Sequence, residues 1–321
     1  MIPLIILSAA FTNWLLLRGS LPLLRQRLLD CPNARSSHSQ PTPSGGGISF
    51  VAISSLACCL SLMTGHSRLA VLPLLMLPLA LMGFLDDQYR LPATWRYAIQ
   101  LFTAVIIIWM SPLFRLSDLS AFWAIGVVGA LLVSITTVIN FTNFMDGLDG
   151  LVAGCMAVGL AVISIQLDVP WSMWALVGSL LGFLIWNWCP ARVFMGDVGS
   201  TFLGAVFAGL VLHAISWPQA VSYLLIATPL LADACSCVLR RLVDGQAVFK
   251  AHRLHLYQRL QQAGWSHSKV SIVYITATAL LALAVLTSGL PAVLLMAIAE
   301  IILGLLLDRY VAVPFLIASA S

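Results

Sequence analysis

Asn140, Asn143, Asp146 and Asp149 recur at steps of three within NFTNFMDGLDGL, residues 140–151. On an α-helix each step of three drifts by about 60°, so neighbours share a face but all four do not. Gly147 and Gly150 loosen the backbone at the same place. The expected form is a helix end that frays into a loop and presents amide and carboxylate oxygens in an arc. Such oxygens suit a hard cation, above all Mg²⁺, which keeps a few protein oxygens and completes its shell with substrate phosphates. Helix capping by Asn143 or Asp149 accounts for one or two of these residues. It does not account for Asp86-Asp87 or for Asp197 in Met195-Gly196-Asp197, acidic residues that occur in a chain with only twelve. A cluster of Asp86, Asp87, Asp146, Asp149 and Asp197 repels itself unless cations or retained protons compensate it. Gly196-Asp197-Val198-Gly199-Ser200 can turn tightly and open a helix, whose free N–H groups favour phosphate. FKAHRLHLYQRL (249–260) offers His252, Arg253 and His255 as donors to a diphosphate, or alternatively forms a basic interfacial helix.

The elements that must position these residues are membrane spans. Hydrophobic residues make up 60% of the 321 and charged residues only 9%, against about 25% charged in a soluble domain. This composition excludes a water-soluble globular protein and gives an all-α polytopic membrane protein. Eleven apolar runs qualify, at about 2–18, 46–64, 69–86, 95–111, 121–141, 150–167, 171–187, 199–215, 219–239, 270–288 and 291–307. The first is read as a retained helix rather than a cleaved leader. The seven cysteines form no CxxC pair and are read as small apolar packers. The RSSHSQPTPSGGG stretch (35–47), taken alone, reads as a linker into the second span.

Alternating the spans places 14 of the 16 basic residues on one side, leaving Arg68 and Arg115 on the other. The positive-inside rule assigns the first side to the cytoplasm, with the N-terminus outside and the C-terminus inside. The chain is then one integral membrane domain, 1–321, with cytoplasmic loops at about 19–45, 86–95, 141–150, 188–199 and 240–269. The acidic motifs all fall at this face. A transporter would hold its polar groups near the midplane; an enzyme that meets a soluble substrate and a lipid would hold them here. Asp233, within PLLADACSCVLRRL, is expected either to pair with Arg240 or Arg241 or to meet substrate.

GFLDDQYRLP, NFTNFMDGLDGL, GFLIWNWCPARVFMGDVGSTFLG, HSQPTPSGGG and HRLHLYQRL together resemble the polyprenyl-phosphate N-acetylhexosamine-1-phosphate transferases. The resemblance runs from the first cytoplasmic loop to the last. It implies transfer of a sugar-1-phosphate from a UDP-N-acetyl amino sugar to undecaprenyl phosphate, with UMP released and Mg²⁺ (or Mn²⁺) as cofactor. It implies that Asn143 and Asp197 hold the metal, and that Asp86 and Asp87, catalytic together with Asp197, face the lipid phosphate. Asp146 and Asp149 would line the nucleotide-sugar site, with Asn140 in the same substrate-binding set. Asn187 and Phe194 would approach uridine, and His252, Arg253 and His255 would contact phosphate or sugar. Further implications are a bacterial inner-membrane location, membrane lipid but no nucleic acid as partner, and a homodimer as one candidate assembly. Gln40 and Ser44 stand where many members carry basic residues, leaving Arg35 or His38 as substitutes; Tyr257 and Gln258 stand near where many carry histidines. The latter variation resembles the O-antigen-initiating branch, with peptidoglycan or teichoic-acid initiation as the alternative pathways.

Overall fold

The computed structural model describes residues 1–32, 40–65, 68–115, 120–247 and 252–320. Arg35, His38 and Lys250, which entered the expectations above, lie outside the described residues. Helix α1 (Ile2–Arg27) continues well beyond the expected end at 18. Strands β1 (Leu29–Asp30) and β2 (Thr42–Pro43) form a two-residue antiparallel ladder that pairs Leu29 with Pro43. After α2 (Ile48–Met63), the third expected span is divided into a 3-10 turn at Arg68–Val71, α3 (Leu72–Leu75) and α4 (Leu77–Tyr89). Pro73 and Pro78 sit in first turns, where a missing N–H breaks no helical bond.

Next come α5 (Ala93–Met110), α6 (Pro112–Arg115), α7 (Ala121–Phe144), α8 (Leu151–Gln166), α9 (Trp171–Asn187) and α10 (Asp197–Val211). The segment expected as one span at 219–239 is two helices, α11 (Trp217–Leu225) and α12 (Thr228–Val243), bent by 78°. Pro229 again opens the new helix. The chain ends in α13 (Leu256–Gln262), α14 (His267–Thr287), α15 (Leu290–Tyr310) and α16 (Phe315–Ala320). Among the described residues, six helices are long and apolar enough to cross a membrane, and the bent pair makes a seventh. Helices α2, α8, α9 and α10, of 15 to 17 residues, are apolar but shorter. At 1.5 Å per residue they reach about 23–26 Å, short of a hydrocarbon core of about 30 Å.

Helices α8, α9 and α10 are buried on nearly every face, as expected of helices that are hydrophobic all round. The longer α1 packs on α9, α7 on α10 and α15 on α14 and α11, and these three turn Leu4, Phe11, Phe122, Trp123 and Leu295 outward. The closest packing is α1 on α9. Gly178 and Gly182, four residues apart on one face of α9, meet the backbone at Ile6 and Ala10 of α1, so that a Cβ on either would strike a carbonyl. Small residues at this spacing let two helix backbones touch where dispersion, not water, drives association.

Candidate active site

The site is built where the end of α4 crosses the start of α10. Gly83 packs against the backbone of Asp197 and Val198, with no room for a side chain. One turn later, Asp87 lies over the α10 N-terminus. Its carboxylate accepts from the backbone N–H of Asp197 at 3.1 Å and of Val198 at 3.5 Å. These are orphan donors of a first helical turn, where a negative charge is favoured. Gly196 enters the helix at φ +74°, a conformation open to glycine at little cost.

Asp86 turns aside. It accepts from the Leu91 N–H at 2.7 Å and from Arg96 Nη1 at 2.8 Å. The same Arg96 nitrogen lies 3.8 Å from Asp197. Asn143, at the end of α7, hydrogen-bonds the Asp197 carboxylate, and Asp86 also lies within hydrogen-bond reach of it. Asp146 follows in the turn after α7; burial, then the charges of Asp197 and Asp149, push its carboxyl up to about 7. Four elements thus bring Asp86, Asp87, Asn143, Asp146 and Asp197 together, with Arg96 as the guanidinium among them. The donors are hard oxygens on an anionic cluster. That chemistry fits Mg²⁺ and does not fit a thiophilic ion.

A cavity of about 360 Å³ opens beside this cluster. Asn140, Asn143 and Asp197 line it together with His252, His255 and Gln258. Asn140 exchanges side-chain hydrogen bonds with Gln100 at 2.7 and 3.2 Å. His252 accepts from the Leu254 N–H through Nδ1 at 3.2 Å. Burial, then His255 and Arg241, push its pKa down to about 3, so it is neutral at cellular pH. The Tyr257 hydroxyl donates to the Phe144 carbonyl at 3.1 Å and ties this loop to the end of α7.

Other expected site residues lie elsewhere. Asp149 is buried, accepts from the Ala191 N–H at 3.1 Å and faces His267 Nδ1 at 3.2 Å. Asn187 accepts from the Gly150 N–H at 3.0 Å and donates to the Val193 carbonyl at 2.9 Å, joining the two acidic loops. Arg253 donates to Gln261 at 3.3 Å. Phe194 engages the proline–glycine segment through its backbone: its N–H donates to Pro43 at 2.8 Å and its carbonyl accepts from Gly46 at 2.9 Å. Gly47 N–H adds a bond to Met195 at 2.9 Å. Residues 40–47 are therefore not a mere linker; they brace the loop that presents Asp197.

Asp233 corrects its expected intrahelical pairing. Its carboxylate accepts from the N–H groups of Leu256 at 2.7 Å and Tyr257 at 3.0 Å, and from the Tyr274 hydroxyl at 2.7 Å. Arg240 pairs instead with Asp308 at 2.6 Å, which also binds Arg259. Sequence reasoning missed Gln100 altogether and used Arg96 only as a topological charge. A signal for Arg96 existed: a cation in the first turn of an apolar helix opposes the helix dipole and calls for an anionic partner.

Residues 69–215 match the family described as Glycosyl transferase family 4. Over these residues the chain is homologous to that family. A "probable undecaprenyl-phosphate N-acetylglucosaminyl 1-phosphate transferase" of Bacillus subtilis is 26% identical over 278 residues, 77% of this chain and 74% of the relative. A phospho-N-acetylmuramoyl-pentapeptide-transferase of Staphylococcus saprophyticus is 27% identical, covering 73% of this chain and 81% of its own. The corresponding enzyme of Carboxydothermus hydrogenoformans is 37% identical over 112 residues, 34% of this chain and 33% of its own. The family 4 match takes in Asp86, Asp87, Asn143, Asp146 and Asp197 and ends before the histidine loop. With its long apolar helices, the chain is a multi-pass membrane protein.

Proposed function

We propose that the chain transfers an N-acetylhexosamine-1-phosphate from a UDP-sugar to undecaprenyl phosphate, releasing UMP and initiating O-antigen or related cell-envelope glycan synthesis. The observation that carries this reading is the meeting of Asp197, Asn143, Asp86 and Arg96 beside a polar cavity bordered by His252 and His255. In a bacterial inner membrane, with eleven spans and the N-terminus outside, the cavity faces the cytoplasm. That orientation rests on the distribution of basic residues. The clustering of carboxylates at one end of the bundle argues against a transporter.

In this reading Asn143 and Asp197 hold Mg²⁺, which when bound neutralises the donor diphosphate and stabilises the leaving UMP. The acceptor is a phosphate monoester with a second pKa of about 6, so it arrives largely as a dianion and needs no strong base. An acceptor oxygen attacks the β-phosphorus, and the bond from that phosphorus to the bridging oxygen breaks, leaving UMP. Asp86, set by Arg96, positions the acceptor; Asp87 fixes the α10 N-terminus and with it Asp197. His252 and His255 border the sugar-phosphate. The reading is tested by UMP release from a panel of UDP-N-acetyl sugars with purified protein and undecaprenyl phosphate. Absence of lipid-linked product with every donor defeats it. Exchange of labelled UMP into UDP-sugar without acceptor would replace direct attack by a phospho-aspartyl route.

A further inference from the structure

Asp233 and Cys237 stand one turn apart on α12, on the same face of the helix, and loop 252–255 closes over that face. Cys237, His252 and His255 each bring one donor atom to within 4.8 Å of the others. A thiolate with two imidazoles is the donor set of a zinc-class ion, whereas Mg²⁺ takes oxygen. The His252 Nδ1 already accepts from Leu254, which leaves Nε2 as its available donor. His255 is 3% exposed and its Nδ1 has no hydrogen-bond partner. That nitrogen lies 3.6 Å from Asp233 Oδ1, a gap a small ring rotation closes. A carboxylate behind a ligating imidazole fixes its tautomer and raises its basicity.

The two imidazole centroids are 5.0 Å apart, with planes inclined by 34°, so neither ring shields the other from a shared ion. Charge also balances. A metal-bound thiol is deprotonated, and the Cys237 thiolate with Asp233 offsets a dication. The nearby Arg241 guanidinium is directed to the Ala247 carbonyl at 2.5 Å. The CxC spacing of Cys235 and Cys237 concealed this arrangement, because the other ligands come from a loop fifteen residues on.

We infer that Cys237, His252 and His255 form a binding site for a zinc-class divalent cation, separate from the carboxylate cluster and sharing the wall of its cavity. A filled site pins the loop to α12 and engages both histidines. Inhibition of sugar transfer by Zn²⁺ follows, a consequence that rests on the substrate-contacting reading of these histidines given above.

The test uses the purified full chain in detergent, stripped by chelator and titrated with Co²⁺. The expected result is a thiolate-to-cobalt absorption band that Zn²⁺ abolishes by displacement and a large excess of Mg²⁺ does not. Cys237→Ser loses the band and keeps Mg²⁺-supported transfer, now insensitive to Zn²⁺. Asp233→Asn, which removes the carboxylate behind His255 and loosens the loop that carries both histidines, weakens Co²⁺ binding by at least about 10–100-fold. If Cys237→Ser does not accumulate, loss of the band in His252→Ala takes its place. No thiolate band in the wild type, or an undiminished band in these variants, overturns the site. If the band forms and Zn²⁺ leaves transfer untouched, the site stands and the histidines are not substrate contacts.

Discussion

Asp233→Asn isolates the anchoring of the histidine loop. The carboxylate is 5% exposed and receives two backbone N–H groups and one phenol. An asparagine presents one oxygen and one NH₂. If the NH₂ replaces Oδ1, it meets the Leu256 N–H; if it replaces Oδ2, it meets the Tyr257 N–H, although the Tyr274 hydroxyl can turn to accept. Either rotamer leaves one buried backbone donor without an acceptor, at about 1–3 kcal/mol, and the surviving bonds lose charge assistance, about 1 kcal/mol each. The neutral amide is cheaper to bury, so the expected net cost is about 2–3 kcal/mol. Because the orphaned groups are the first N–H groups of α13, the cost falls on the attachment of residues 252–262. At about 1.4 kcal/mol per factor of ten, the detached population rises about 30–150-fold. Amide exchange followed by mass spectrometry reads this directly. Faster exchange should be confined to 254–262, with a raised KM for the UDP-sugar. Tyr274→Phe removes one bond and should show the same pattern at about 1 kcal/mol. Unchanged exchange at Leu256 and Tyr257 in Asp233→Asn, in protein of wild-type thermal stability, refutes the anchoring argument.

Asp197→Asn should abolish lipid-linked sugar formation while the protein still inserts; near-normal turnover at ordinary Mg²⁺ removes Asp197 from metal binding. Arg96→Ala strips the counter-ion from Asp86 and Asp197, and should lower turnover and shift the Mg²⁺ dependence measured by UMP release. Gly182→Leu should lower the melting temperature in detergent by forcing α1 off α9, whereas Gly126→Leu, where a Cβ meets open space, should not. Asp146 carries a pH signature. Its folded pKa, about 7, lies above its ordinary 3.8, so the folded state binds the proton more tightly. Its contribution to stability is full at low pH, declines as pH rises from about 4 to about 7, and is flat above. In chelator, Asp146→Asn should flatten that slope in a plot of melting temperature against pH; an unchanged slope rejects the assignment.

The helices were legible because lipid-facing and buried helices alike are written in long apolar runs. Each of the eleven runs contains a helix, and the failures lie where polar detail decides. Pro229 marked the break inside 219–239, since a proline at a first helical turn starts a helix rather than continuing one. The α1 extension to Arg27 is polar enough to be read as loop, and it is held by tertiary contact through Leu24 and Leu28. The acidic cluster was legible from residue type alone. The roles within it were not: Asp86 and Asp87 are adjacent in sequence yet point to Arg96 and to the α10 N-terminus. Asp233 with Tyr274 and the start of α13, and Asp308 with Arg240 and Arg259, make two sets of long-range contacts that no local spacing encodes.

The geometry also orders the acidic residues by what each is free to do. Asp87 spends both oxygens on the first N–H groups of α10, and Asp149 spends its own on Ala191 and His267. Asp86 is oriented by Leu91 and Arg96, one on each oxygen. Asp197 differs, because it lines the cavity and is met there only by Asn143, Asp86 and the longer Arg96 contact. A dication placed in the cavity meets Asp197, which lines it and where repulsion from neighbouring carboxylates is already present. The other aspartates hold that one carboxylate in place: Asp87 by pinning its helix, Asp86 by steering Arg96, Asp149 by bracing the loop that leads to it. Replacing Asp87 by Asn should therefore act mainly through Asp197. It should weaken Mg²⁺ dependence and transfer together, and an Asp87→Asn enzyme with wild-type Mg²⁺ affinity but no turnover would instead make Asp87 a direct participant in the chemistry.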